Sequence, residues 1–164
     1  MARQKKKPLE SEAETYDCAL NLLSFRDHSQ KELKQKLKLR GASQENIQES
    51  IEKLTDYGIL DDERYARAFI HDKVRFARWG TRRIAMELHQ KGIDSHIFEP
   101  LLHDINQEEY SDALQSLLRT KARTIKASSP YELRMKLLRF AASRGYNFDE
   151  VSETIEGLDP PSLP

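Results

Sequence analysis

The sequence has one cysteine, Cys18, in 164 residues, so no internal disulfide can form. A lone thiol with no neighbouring His or Cys also gives no metal-ligand spacing. Glycine and proline are scarce, at 6 residues each, and with 33% charged residues this favours helices with solvated outer faces. There is no run of 18 apolar residues, and no apolar stretch follows the basic segment Met1 to Pro8. Neither export nor membrane insertion is expected, and a reducing cytoplasm is the simplest compartment. The sequence also lacks a P-loop, a Gly-rich dinucleotide turn and any Ser, His, Asp arrangement legible from spacing. Of the five histidines only His96 and His103 share a helix face, and no cysteine or paired carboxylate accompanies them. No cofactor, no metal and no catalysis are expected. The formal net charge is zero, which disfavours strong autonomous binding to DNA.

What is present is a repeat. Three basic-Gly pairs, Arg40-Gly41, Lys91-Gly92 and Arg144-Gly145, each follow a helical pattern, and glycine just past a helix end takes the left-handed conformation that stops it. Four and eight residues before each Gly stand Leu37 and Leu33, Leu88 and Ile84, Ala141 and Leu137, one face of a helix each time. Six, ten and thirteen residues after stand Ile47, Ile51 and Leu54, then Phe98, Leu102 and Ile105, then Val151, Ile155 and Leu158, all apolar. Upstream, Tyr16, Ala19 and Leu20 are matched by Tyr65, Ala68 and Phe69 and by Tyr110, Ala113 and Leu114, which predicts a third helix per unit. The first helix of unit three is expected to be longer, because Tyr110 lies farther from its Gly.

The fold expected is therefore all-α: three tandem three-helix bundles, at residues 11–60, 61–106 and 107–158, forming an elongated, curved molecule. A disordered basic tail is expected over residues 1–10 and another tail over 159–164. Local chemistry supports the boundaries. Ser29 to Glu32, Ser129 to Glu132 and Asn147 to Glu150 read as helix caps with an acid at the third position, and Pro130 suits a first helical turn. Asp61, followed by Asp62 and Glu63, caps a helix expected over roughly Asp62 to Arg78.

Zero net charge conceals an alternation. Residues 43–63 hold seven acids and one base, 64–92 eight bases and two acids, 93–112 six acids and no base, and 119–144 eight bases and one acid. The third helix of each unit is expected to be acidic, and the second to be bracketed by cations: Lys31, Lys34, Lys36, Lys38 and Arg40 in unit one, Arg82, Arg83 and Lys91 in unit two, Arg134, Lys136, Arg139 and Arg144 in unit three; Arg75, Arg78, Arg82 and Arg83 around Trp79 are the densest cluster. Segregated charge makes a basic stripe suited to phosphates, whereas a purely structural surface gains from interspersed signs. Trp79, among these arginines, either stacks on an exposed base or closes the turn before Ile84; closing the turn is the expected role.

Tyr57-Gly-Ile-Leu-Asp-Asp-Glu-Arg-Tyr65-Ala66 resembles the signature of the RecX family, and Gly80-Thr-Arg-Arg-Ile84 with Glu87-Leu-His-Gln-Lys-Gly-Ile93 resembles its next block. The resemblance runs from about Tyr16 to Leu158 and includes Arg139-Phe-Ala-Ala-Ser-Arg-Gly-Tyr146. Ile59 departs from the pattern, where Tyr is common, as do Ala141 and Ala142, where larger apolar residues are usual. The resemblance implies three three-helix repeats in a monomer that binds the RecA filament on single-stranded DNA, lodges in its groove and inhibits ATP hydrolysis, strand exchange and filament growth. Nine of these cations, Arg40, Arg75, Arg78, Arg82, Arg83, Lys91, Arg134, Arg139 and Arg144, are then the face toward RecA or DNA. Gly58, Leu60, Asp61, Asp62, Tyr65, Ala66, Gly80, Ile84, Leu88 and Gly92 form the signature, with mainly structural roles. Two other readings are a sequence-nonspecific DNA-binding protein and a helical-repeat scaffold for another partner.

Overall fold

A computed structural model of the chain describes residues 6–158; the expected tail at 159–164 and the first five residues lie outside the described range. Among the described residues there are nine α-helices and no strand. They are α1 (Glu12–Phe25), α2 (Gln30–Leu39), α3 (Gln44–Asp56), α4 (Asp62–Arg75), α5 (Thr81–Gln90), α6 (Ser95–His103), α7 (Gln107–Ala122), α8 (Pro130–Ser143) and α9 (Phe148–Gly157). These form three trios, and α7 is the longest helix, as the position of Tyr110 predicts.

The starts are set by side chains that occupy orphan amides of the first turn. Ser29 and Asn147 each complete a reciprocal box with Glu32 and Glu150. Ser129 caps α8, but Glu132 turns away to accept hydrogen bonds from the Ser128 amide and hydroxyl. The stops are set by glycine. Gly41, Gly92 and Gly145 all have positive φ, at 86°, 76° and 96°. The residue after each donates its amide back five positions: Ala42 to Leu37, Ile93 to Leu88, Tyr146 to Ala141. Gly58, after α3, makes a fourth stop of the same kind, which the repeat count from the sequence did not include.

The chain divides into two compact units, Met1–Ala66 with Leu88–Ile97, and Arg67–Glu87 with Phe98–Pro164. The first is built on Leu33, Leu37, Ile47, Ile51, Leu54 and Leu60, with Ala19 giving close approach of α1 to α3. Leu9 belongs to this core: its amide donates to the Arg40 carbonyl at 3.0 Å, so residues 8 and 9 are packed chain where the sequence reading placed a disordered tail. In the second unit α7, α8 and α9 pack mutually through Tyr110, Ala113, Leu114, Leu118, Leu133, Leu137, Ala141, Tyr146 and Val151.

Three further expectations need correction. In α4 the buried face is Tyr65, Ala66, Ile70 and Val74, and Ala68 is exposed, so the Tyr-plus-three pattern slips in this helix. The helix ends at Arg75, three residues early, because the backbone turns at Arg78, which has φ 52°. In the second trio the acids lie mostly beside α6: within it only Glu99 is acidic, while Asp94 and Asp104 flank it and Glu108 and Glu109 open α7.

Candidate functional site

The basic-Gly corners are the meeting points of successive trios. In the first unit the Lys91-Gly92 corner ending α5 sits on the start of α2. The Ser29 hydroxyl donates to the Lys91 carbonyl at 2.8 Å, the Lys31 ammonium donates to the Gln90 carbonyl at 3.0 Å, and the Lys91 ammonium meets the Glu32 carboxylate at 3.1 Å. Burial works against both charges of that pair, yet the contact wins: Glu32 is held below its usual carboxylate value and Lys91 above its usual amine value.

The signature carboxylates divide their labour at the same place. Asp61 caps its own helix, accepting the Glu63 and Arg64 amides at 2.9 and 3.1 Å. Asp62 instead accepts the Gln30 amide at 2.9 Å and so caps α2 of the preceding trio. Burial raises its pKa despite that bond. The Arg64 guanidinium covers the end of α3, donating to the Gly58 and Ile59 carbonyls at 3.0 and 2.8 Å. Gly58 supplies the turn, and Leu60, Tyr65 and Ala66 are buried. This stretch of the signature is a splice between helices.

In the second unit the Arg144-Gly145 corner ending α8 sits on the start of α5, through backbone. Gly80 donates its amide to the Arg144 carbonyl at 2.8 Å, and Arg82 donates its amide to Gly145 at 3.2 Å. A Cβ on Gly80 would lie 2.2 Å from the Gly145 carbonyl carbon, so only glycine admits this approach. The Thr81 amide donates to the Tyr110 hydroxyl at 3.1 Å, and burial pushes that phenol up to about 12. The Tyr110 and Tyr146 rings pack at 5.4 Å between centroids. The positive end of α5 thus meets the negative end of α8. Ile84 and Leu88 of α5 are fully buried.

This clasp gathers Arg78, Arg82, Arg83 and Arg144. The Arg83 guanidinium lies 3.9 Å from the Trp79 ring centroid and the Lys73 ammonium 4.5 Å from it, while the Trp79 amide donates to the Lys73 carbonyl at 2.9 Å. Trp79 therefore closes the turn, covered by cations. Arg144 lies over Phe140 and Arg134 meets Glu156. Arg75 stands beside the exposed ring of Phe76. Arg82 and Arg139 are exposed, and among the described residues their side chains make no hydrogen bond or ion pair. Of the nine expected site cations, the remaining two are in the first unit: Lys91 is committed to Glu32, and Arg40 is half-buried with a guanidinium nitrogen 3.7 Å from Cys18 Sγ.

Among the described residues no group of His, Cys, Asp or Glu is arranged to hold a metal, and no helix is long and apolar enough to cross a membrane. Family models described as the first, second and third three-helix domains of RecX match residues 16–54, 61–99 and 107–155. A regulatory protein RecX from Finegoldia magna is 36% identical over 149 residues, 88% of this chain and 71% of that one. Another from Vibrio campbellii is 35% identical over 143 residues, 87% of this chain and 90% of that one. The crystal structure of RecX from Lactobacillus salivarius superposes with a TM-score of 0.83 at 26% identity, covering 90% of this chain and 96% of that one. With its three trios, their glycine corners and the signature splice all accounted for, the chain belongs to the RecX family of regulatory proteins.

Proposed function

We propose that the chain is a negative regulator of the RecA recombinase, one that lodges in the helical groove of the RecA filament on single-stranded DNA. There it restrains ATP hydrolysis, strand exchange and filament growth. It works in the cytoplasm, as a monomer, by occupying a surface and without turning over a substrate. Membership of the RecX family supports the partner. The observation that carries the choice of surface is the pair of exposed, uncommitted guanidinium groups, Arg82 and Arg139, in the second unit, with Arg75, Arg78, Arg83 and Arg144 in the same unit. Arginine forks suit phosphate oxygens, and a nucleoprotein filament offers phosphates beside protein.

The test is RecA-dependent ATP hydrolysis on single-stranded DNA with Arg82→Glu/Arg139→Glu. Both side chains are exposed, so folding should be unchanged within about 0.5 kcal/mol. The concentration needed for half-inhibition should rise about ten-fold or more, and the wild-type protein should itself lose potency with added salt. A folded double variant with undiminished potency would rule out this surface. Equal affinity of the wild-type chain for DNA with and without RecA would favour autonomous DNA binding.

A further inference from the structure

At each basic-Gly corner the carbonyl of the basic residue accepts a hydrogen bond from a covering segment. The Lys91 carbonyl accepts the Ser29 hydroxyl, and the Arg144 carbonyl accepts the Gly80 amide, both at 2.8 Å. In both cases the cover is the start of the second helix of the preceding trio. Close contact with the corner glycine accompanies it: Lys31 lies over Gly92, and Arg83 over Gly145. The third corner, Arg40-Gly41, differs. Its carbonyl accepts the Leu9 amide at 3.0 Å, and Pro8 lies over Gly41. Here two residues outside any helix do what a helix start does elsewhere.

The α8 start carries the chemistry of such a cover. Ser129 accepts the Glu132 amide at 3.1 Å just as Ser29 accepts the Glu32 amide at 3.2 Å, which leaves the hydroxyl proton for a carbonyl. Glu132 stands at the sequence position of Glu32 and Arg40 at that of Lys91, so opposite charges recur; Glu132, turned to Ser128 and paired with Lys136 at 2.8 Å, would exchange those partners for Arg40 on docking. Tyr131 beside them is 71% exposed. Two docked corners therefore define an interface whose two halves both recur, one under Pro8 and Leu9 and one at the start of α8, where Ser129 and Glu132 are half-buried beside the exposed Pro130 and Tyr131.

We propose that Pro8–Leu9 is a detachable plug on a repeat-docking surface, and that the surface beneath it, the Arg40-Gly41 corner, fits the Ser129–Glu132 start of α8 from a second copy of this chain. The contact joins unlike surfaces, so it propagates head to tail unless the plug blocks it. The plug is held by one apolar side chain and one backbone bond, which suits a cover that exchanges. This inference does not depend on the RecA reading.

Sedimentation velocity over a concentration series tests it, comparing the full chain with a chain lacking residues 1–9, which keeps the Ser11 cap of α1. The weight-average mass of the shortened chain should rise about two-fold or more with concentration while the full chain stays at monomer mass. Glu132→Lys in the shortened chain, which sets like charges against Arg40, should restore the monomer. A shortened chain that is helical by circular dichroism yet monomeric throughout overturns the proposal. So does association that Glu132→Lys leaves unchanged, or equal association of the full chain. If the shortened chain does not fold, a flexible Gly/Ser linker between Leu9 and Glu10 keeps every plug contact while letting the plug exchange. Association of that variant supports the proposal, and a monomer at every concentration overturns it.

Discussion

Two corners of this molecule perform one task with different chemistry. At Lys91-Gly92 the contact is made by side chains: a serine hydroxyl, a lysine reaching a carbonyl and an ion pair, with the covering α2 start itself capped by Asp62 of α4. At Arg144-Gly145 it is made by main chain against main chain, with Gly80 and Arg82 amides on the corner carbonyls. The difference decides which cations are committed to the fold. Lys31 and Lys91 in the first corner are used up in holding helices together. In the second the backbone does the holding, and the Arg82 guanidinium, one residue inside the clasp, is left exposed. Exposed guanidinium groups without an ion pair, those of Arg82 and Arg139, stand in the second unit, where glycine and not charge makes the junction.

The sharpest way to break the comparison is to put one methyl group on each glycine. Gly80→Ala should be the most damaging, by about 3 kcal/mol or more, since the new carbon meets backbone at 2.2 Å and neither helix end can yield alone. Gly92→Ala should cost about 1–2 kcal/mol: it must adopt a left-handed conformation, but the group in its way is the flexible Lys31 side chain, at 2.6 Å. Urea unfolding of both variants gives the ranking, and equal losses would show that the two corners are not built differently. Ser29→Ala should fall in the same range, about 1–2 kcal/mol, because it removes a cap and the bond to Lys91 together.

A smaller effect comes from the ion pair. A double-mutant cycle on Glu32→Gln and Lys91→Met should give a coupling of about 0.5–1 kcal/mol, as expected for a partly exposed pair. Its pH dependence has a definite sign. The folded Glu32 carboxyl is more acidic than the unfolded one, so the unfolded chain binds more protons at mildly acidic pH. The stabilisation is complete above the usual carboxylate range and is lost as pH falls through the folded value. His28 acts at higher pH. Buried with its Nδ1 at 2.9 Å from the Arg26 carbonyl, it has its pKa lowered by burial, so stability declines once pH drops below the ordinary imidazole range. Wild type and His28→Gln, unfolded between neutral and mildly acidic pH, should differ in slope in that window.

Local chemistry was legible in the sequence and distant chemistry was not. The glycine stops and the caps at Ser29, Asp61, Ser129 and Asn147 are settled within five residues, so the pattern of side chains sufficed to find them. The position of Asp62 was legible, but not its role, because its acceptor oxygen serves Gln30, 32 residues away. Gly80 has no left-handed backbone to betray it, and its need for glycine lies in the approach of Gly145. Ala68 satisfied the Tyr-plus-three spacing of the other first helices, yet Ala66 and Ile70 took the core because α4 presents a rotated face. The candidate site was half legible for the same reason. Nine cations could be marked from their positions, but which of them are committed depends on partners such as Glu32, Glu156, Trp79 and Phe140.

The smallest predicted effect bears most directly on function. Arg78 is the only non-glycine residue with positive φ among the described residues, and it stands in the turn that leads into the Gly80 clasp. A side chain in that conformation costs about 1 kcal/mol relative to glycine, so a sequence selected for stability alone would place glycine there. Arg78→Gly should therefore leave stability unchanged or raise it by up to about 1 kcal/mol. If the arginine is kept for its charge, the same variant should lose inhibitory potency toward the RecA filament while folding at least as well. A variant that loses stability instead would show that Arg78 holds the turn, and would remove it from the proposed surface.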